Sequence, residues 1–187
     1  MSLSNLHSSI QSCKKCQLSK KCIPLPGFQL ENPQPKIGII LCNPSKEATE
    51  QSSAWEGVIG DYIQKLCNKA EIAQRDIFIS YLARCSTWNA SDPPFTILNT
   101  CSPWLDKQIE LSEPKVLIGC GKEVIRHLLN IPKKTIPLKD YIGNEYPYGN
   151  FYTKVIPAYS IQYCLRRGWP TEQEFLGIFR KAKEIGG

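Results

Sequence analysis

The sequence has no run of apolar residues long enough to span a bilayer, so no membrane partner is expected. Its first residues, MSLSNLHSSIQSC, lack the apolar core of a signal peptide, and the expected location is the cytoplasm. There is no internal repeat and no low-complexity tract. Histidine is scarce: only His7 and His127 occur, and His127, within VIRHLL, reads as an ordinary helix residue. An even set of cysteines is also lacking. The nine present are an odd count in a reducing compartment, which argues against a disulfide framework.

What is present fits one soluble domain. The 187 residues suffice for a full core, and 42% apolar and 21% charged residues are ordinary proportions. The net charge of +6 reads either as a solvated basic surface or as a surface for a polyanion such as nucleic acid. Among the cysteines, Cys13 and Cys16 in CKKC have metal-ligand spacing, because a two-residue gap lets both thiolates face one centre.

Periodicity gives the class. A helix and a metal-binding turn are expected over 5–22, followed by a Pro-rich connector, IPLPGFQLENPQP. Strands are expected at 36–42, 76–83, 114–119 and 151–159. The first of these ends abruptly in Asn43, Pro44 and Ser45. Helices are expected at 57–70, from Pro94 to about Leu111, at 121–130 and at 171–185. Their inward faces are Val58, Ile59, Tyr62, Ile63, Leu66 and Cys67; then Ile97, Cys101, Leu105 and Ile109; and last Phe175, Ile178, Phe179 and Ala182, with Thr171 as N-cap. Strands alternating with helices imply an α/β fold with a mostly parallel sheet. In such a sheet, chemistry sits just past the carboxyl ends of the strands, where the loop Asn43–Ser45 falls.

Cys85 ends the second strand region and Cys101 sits early in the next helix, completing C-x2-C…C-x15-C with Cys13 and Cys16. At this point nearly the whole chain resembles the iron–sulfur uracil-DNA glycosylases, family 4. The resemblance rests on Cys13, Cys16 and Leu18; on Cys85; on Cys101, Pro103, Leu105, Gln108, Ile109, Pro114, Lys115 and Val116; and on Gly57, Gly60 and Gly121. It implies a single three-layer α/β/α domain. It also implies a [4Fe–4S] cluster held by Cys13, Cys16, Cys85 and Cys101, which ties in the N-terminal segment in a structural role. Zinc is the alternative, since four thiolates suit it as well. Cys22 lies close enough to compete as a ligand, although the family carries a different residue there. Cys67, Cys120 and Cys164 read as core.

The catalytic motifs depart from that family. Where it reads G-E-A-P-G, this chain has Leu41-Cys42-Asn43-Pro44-Ser45, so a cysteine takes the acidic position. Tyr81 stands where an Asn recognises uracil, and Ser160 where a His is found. Ordinary uracil excision is therefore not expected. Asn43 and Pro44 are similar instead to the G-x-N-P-G of the mismatch-specific and single-strand-selective branches of the superfamily, in which the Asn holds the attacking water. Breaking an N-glycosidic bond builds positive charge on the sugar, so an amide that orients water, helped by the DNA phosphates, is sufficient chemistry. Cys42 is a second catalytic candidate as a thiolate, though neither histidine falls where it would serve as its base. Glu47 is a third, assisting the water.

The resemblance also places the base and the DNA. Trp55 and Tyr81 would stack on or face a flipped base, with Ser160 beside it. Leu165, in CLRRGWP, would fill the gap left in the duplex. Arg166 and Arg167 would hold phosphates, and Lys122, opening a helix after Gly121, would meet another. The expectation is a monomeric DNA glycosylase acting on a modified pyrimidine of the kind phage DNA carries. The alternative is a catalytically silent DNA-binding or replication-associated module.

Overall fold

The computed structural model describes residues 1–29, 34–89, 91–132, 137–149 and 152–187. Parts of the expected connector, of the loop over 86–95 and of the strand over 151–159 fall at 30–33, 90 and 151, outside the described residues.

Five strands form one sheet: β1 (Ile37–Leu41), β2 (Ile77–Tyr81), β3 (Val116–Cys120), β4 (Tyr146–Pro147) and β5 (Lys154–Ala158). Their order is β2-β1-β3-β5-β4. The first four in that order run parallel, and only β4, a two-residue edge strand, is antiparallel to its neighbour. The central strands are buried on both faces, which is why they read as apolar runs and not as alternating ones. Gly38 is required within β1. A Cβ there would stand 2.6 Å from the side chains of both Phe78 and Leu117, so the two neighbouring strands close over a space only hydrogen fits.

The helices cover both faces. Strand residues Ile37, Ile39, Leu41, Ile79, Ile118 and Ile156 point to one side, where α3 (Gly57–Lys69), α6 (Ile161–Arg167) and α7 (Trp169–Gly186) supply Ile63, Leu66, Ile161, Phe175 and Phe179. Ile40, Phe78, Leu117 and Val155 point to the other, against α4 (Phe95–Ser112) and α5 (Lys122–Leu128). These are the three layers expected. Each fully buried Ile, Leu or Phe contributes about 1.5–3 kcal/mol of transfer free energy. The helix α1 (Leu3–Gln11) packs on α4 through the fully buried Leu6 and Ile10. The chain then passes beside the open edge of β2, where Phe28 and Ile79 exchange backbone hydrogen bonds of 2.9 and 2.8 Å and so blunt that edge.

Several expectations need correcting. Val58 lies in the first turn of α3 and projects to solvent. Leu98, not Ile97, is the buried residue at the start of α4, since helical geometry places 98, 101, 105 and 109 on one face. The last helix starts at Trp169, with Pro170 in its first turn and Gly168 before it, so Thr171 is no cap. Two short helices, α2 (Lys46–Glu50) and α6, were not expected. Ser45 and Ser160 start them, their hydroxyls accepting from the amides of Ala48 and Tyr163. No helix of the described residues is long and apolar enough to cross a membrane.

Candidate active site

The strand order reverses between β1 and β3. Their crossovers depart in opposite directions and leave a crevice past the carboxyl ends, the site such sheets use for ligands. A cavity of about 690 Å³ occupies it. Residues 41–47 form one wall, following β1. Residues 120–123 form a second, following β3, and residues 159–163 with Arg166 form a third, following β5. The end of β3 and the start of α6 meet closely because residue 121 is glycine. It sits at φ +98°, and a Cβ there would touch the Cβ of Ser160 at 3.4 Å.

Of the residues singled out above, Cys42, Asn43, Glu47, Lys122, Ser160 and Arg166 all line this one cavity. The Asn43 amide nitrogen donates to the Pro44 carbonyl oxygen at 3.2 Å, which leaves its side-chain oxygen as the end suited to accept from a water. Glu47 lies in the first turn of α2. Its own backbone amide and the Ser45 hydroxyl hold its carboxyl below the usual range, so it is ionised. The Cys42 thiol behaves oppositely. Burial pushes it well above the ordinary thiol range, and the nearby carboxylates of Asp92 and Glu123 push it further. It is a neutral thiol at physiological pH, which removes the thiolate that a nucleophilic role needs. Ser160 has its oxygen engaged as the cap of α6, accepting from Tyr163 at 3.3 Å.

Two expected base contacts lie elsewhere. Tyr81 is 1% exposed, in the core beneath α3, and is not part of the cavity wall. It ends β2 opposite Leu41, and the strand alternation turns it into the apolar layer. Trp55 packs edge-on against Phe28, with ring centroids 5.0 Å apart, and is likewise absent from the wall. Leu165 and Arg167 are exposed on α6, so they stand on a helix where a loop was expected. Arg167 lies 5.5 Å from the Tyr163 ring and donates to its hydroxyl at 3.3 Å. The exposed Trp169 follows, just past Gly168 at φ +77°.

Sequence reasoning missed Trp88 and Asp92, both in the wall and both on the loop from β2 to α4. Trp88 is 39% exposed and holds a left-handed backbone (φ +67°), unusual for a bulky residue. The turn is pinned by the Trp88 amide donating to the Ser86 hydroxyl at 3.1 Å and by the Thr87 hydroxyl donating to the Ser91 carbonyl at 2.7 Å. The available signal was position: this loop also follows the carboxyl end of a parallel strand. Tyr159 and Tyr163, with ring centroids 4.8 Å apart, add a further aromatic face across the cavity.

The same loop begins at the cysteine end of the molecule. There Cys85 and Cys22 hydrogen-bond to each other. That bond lowers Cys22 to about 7 and raises Cys85, while burial raises Cys101, with smaller contributions from the nearby Cys16 and Cys13. Five thiols thus gather around the start of α4, a donor set suited to a soft, thiolate-bound centre. They are not drawn into a ligand set, for among the described residues no three His, Cys, Asp or Glu side chains form a metal-binding group. Beside them Arg84, 1% exposed, donates to the Pro26 carbonyl at 2.6 Å and to Gln108 Oε1 at 3.0 Å. Gln108 Oε1 also accepts from Ser80 at 2.9 Å, and the Arg84 amide donates to Cys101 Sγ at 3.2 Å.

Residues 28–183 match the profile of the Uracil DNA glycosylase superfamily. The chain is similar to three type-4 uracil-DNA glycosylases. That of Saccharolobus solfataricus is 30% identical over 156 residues, covering 81% of this chain and 68% of the relative. That of Sulfurisphaera tokodaii is 25% identical, covering 69% and 59%, and that of Pyrobaculum aerophilum is 25% identical, covering 65% and 61%. The match thus leaves about a third or more of each relative's length outside it. With the sheet order, the cavity at the switch point and a family match over most of its length, the chain belongs to the uracil-DNA glycosylase superfamily.

Proposed function

We propose that this protein is a DNA glycosylase that extrudes a base other than uracil, a modified pyrimidine of the phage type, and hydrolyses its N-glycosidic bond to leave an abasic site. The observation that carries the reading is Asn43. It lies in the wall of a cavity large enough for a nucleoside, with its amide nitrogen tied back to Pro44 and its oxygen left to orient a water. The other-than-uracil part rests on three exchanges. A neutral thiol, Cys42, takes the acidic position; a core residue, Tyr81, takes that of the uracil-reading Asn; and a helix-capping serine, Ser160, takes that of the His. Stacking on the base falls to Trp88, with Tyr159 and Tyr163 across from it. Lys122 and Arg166 at the rim, with Arg167, meet phosphates, and Leu165 enters the gap in the duplex.

Cys13, Cys16, Cys85 and Cys101 would hold a [4Fe–4S] cluster, which when bound supplies a cross-link between the N-terminal segment and α4. Zinc is the competing occupant. Protein purified anaerobically should be brown, with stoichiometric iron and sulfide; a colourless protein with stoichiometric zinc would overturn the cluster. The activity is tested by incubating the protein with single- and double-stranded oligonucleotides that carry uracil, 5-hydroxymethyluracil, 5-hydroxymethylcytosine or glucosylated 5-hydroxymethylcytosine, and then assaying for abasic sites. Release of a modified pyrimidine in preference to uracil is expected. Tight DNA binding with no base released from any substrate would favour the silent-module reading.

A further inference from the structure

Three carboxylates border the cavity, and their surroundings separate them. Glu47 is held by its own amide and by Ser45. Glu123 is paired with Arg126, Oε2 to Nη1 at 3.2 Å. Asp92 has no ion-pair partner among the described residues. It reaches the cavity from the β2–α4 loop and faces the side chain of Cys42, the residue next to Asn43 in the chain and the one standing at the vacant acidic position. The Thr87 hydroxyl, donating to the Ser91 carbonyl, and the buried Pro93 hold the backbone on either side of it.

We propose that Asp92 is the catalytic carboxylate of this site, supplied from across the cavity in place of the acid that position 42 lacks. The inference rests on the glycosylase reading and adds the proton acceptor to it. As the C1′–N bond breaks, its electron pair leaves with the base. The Asn43-oriented water bonds to C1′ through oxygen and gives one proton to Asp92. That proton then passes to the departing base, so the sum is one water consumed, an abasic sugar hydroxyl and a neutral base. Before the water moves, the Asp92 charge also favours the cationic sugar. Glu47 and Glu123 keep their partners and serve as fixed negative charge around it.

The test is single-turnover base release by wild type, Asp92→Asn and Asp92→Glu on the best modified-pyrimidine oligonucleotide of the panel, with DNA affinity and melting temperature measured for each. Asp92→Asn should slow release on the order of a hundredfold or more while the other two quantities hold, since the residue is exposed on a loop and buries no core. Asp92→Glu should restore part of the rate. Release by Asp92→Asn within about threefold of an active wild type would overturn this assignment and leave the glycosylase reading standing. No release by the wild type from any substrate would overturn both.

Discussion

The cysteine end and the cavity end of this molecule are joined by one loop, yet they are built on opposite principles. At the cysteine end, polar groups are buried and mostly paired, although Arg84 Nε has no partner among the described residues. Arg84 reaches Pro26 and Gln108, Gln108 accepts from Ser80 as well, and its amide donates to Gln29 at 3.2 Å. At the cavity end the polar groups face an open space of about 690 Å³: the Asn43 side-chain oxygen is left to accept, and Asp92, though it meets the Cys42 thiol, has no ion-pair partner among the described residues. A network that satisfies itself holds the chain in shape. A wall of acceptors open to solvent contributes little to the fold and leaves its polar groups free for a ligand. On this contrast the buried network around Arg84 serves the fold and the cavity is the candidate site, although both regions carry cysteines.

The largest effect is expected at Arg84. Arg84→Ala should lower unfolding free energy by about 3–5 kcal/mol in urea titration, since it opens a cavity, takes the donor from the Pro26 carbonyl and leaves Gln108 Oε1 with Ser80 alone. A loss below about 1 kcal/mol would mean that the network is not what holds this end. Asn43→Ala is the matching change at the cavity. It should slow base release on the order of a hundredfold, with stability and DNA affinity nearly unchanged, because the side chain lies on a loop and fills no core. Full activity in Asn43→Ala would move the chemistry to another residue.

This contrast also explains what was legible in the sequence. The layers were, because β1, β2, β3 and β5 are apolar runs and α4 and α7 carry clean helical stripes around Leu105 and Phe179. The nearness of Cys13 and Cys16 to each other was, because C-x2-C is a local spacing. Asn43 was, because it ends a strand. Tyr81 and Trp55 were misplaced. A family position specifies a place in the chain, and here the side chain at that place turns into the core or onto Phe28. Trp88 and Asp92 were missed because no short-range pattern marks a loop residue that shares a cavity with Cys42 and Asn43, some fifty positions away in sequence; the parallel pairing of β1 and β2 brings the two loops together. The short β4 and α6 were too brief to show a period.

A smaller effect is expected at the rim. Arg166→Ala combined with Arg167→Ala should weaken DNA binding by about tenfold at low salt. It should also flatten the dependence of log affinity on log salt by about two units, one for each phosphate that the protein no longer neutralises. An unchanged slope would place the DNA on another face. Base release at saturating DNA should fall less than binding does, which separates rim from wall.

The smallest effect is expected at Cys42. The residue occupies the position where an acid is expected, so by its place in the chain it would take the leading role. Its surroundings take that role away. Burial and the carboxylates of Asp92 and Glu123 all favour the protonated thiol, so at about pH 7 to 8 almost no thiolate is present to attack the sugar. Cys42→Ser keeps a neutral donor of similar size facing Asp92, and should cost no more than a few-fold in base release, against the hundredfold of Asn43→Ala. Alkylation by iodoacetamide at about pH 8 should be slow at Cys42 for the same reason, as followed by peptide mass mapping. If Cys42→Ser instead abolished release while Asn43→Ala retained it, sulfur would be the attacking atom, and a covalent adduct between Cys42 and C1′ should then be trapped on DNA.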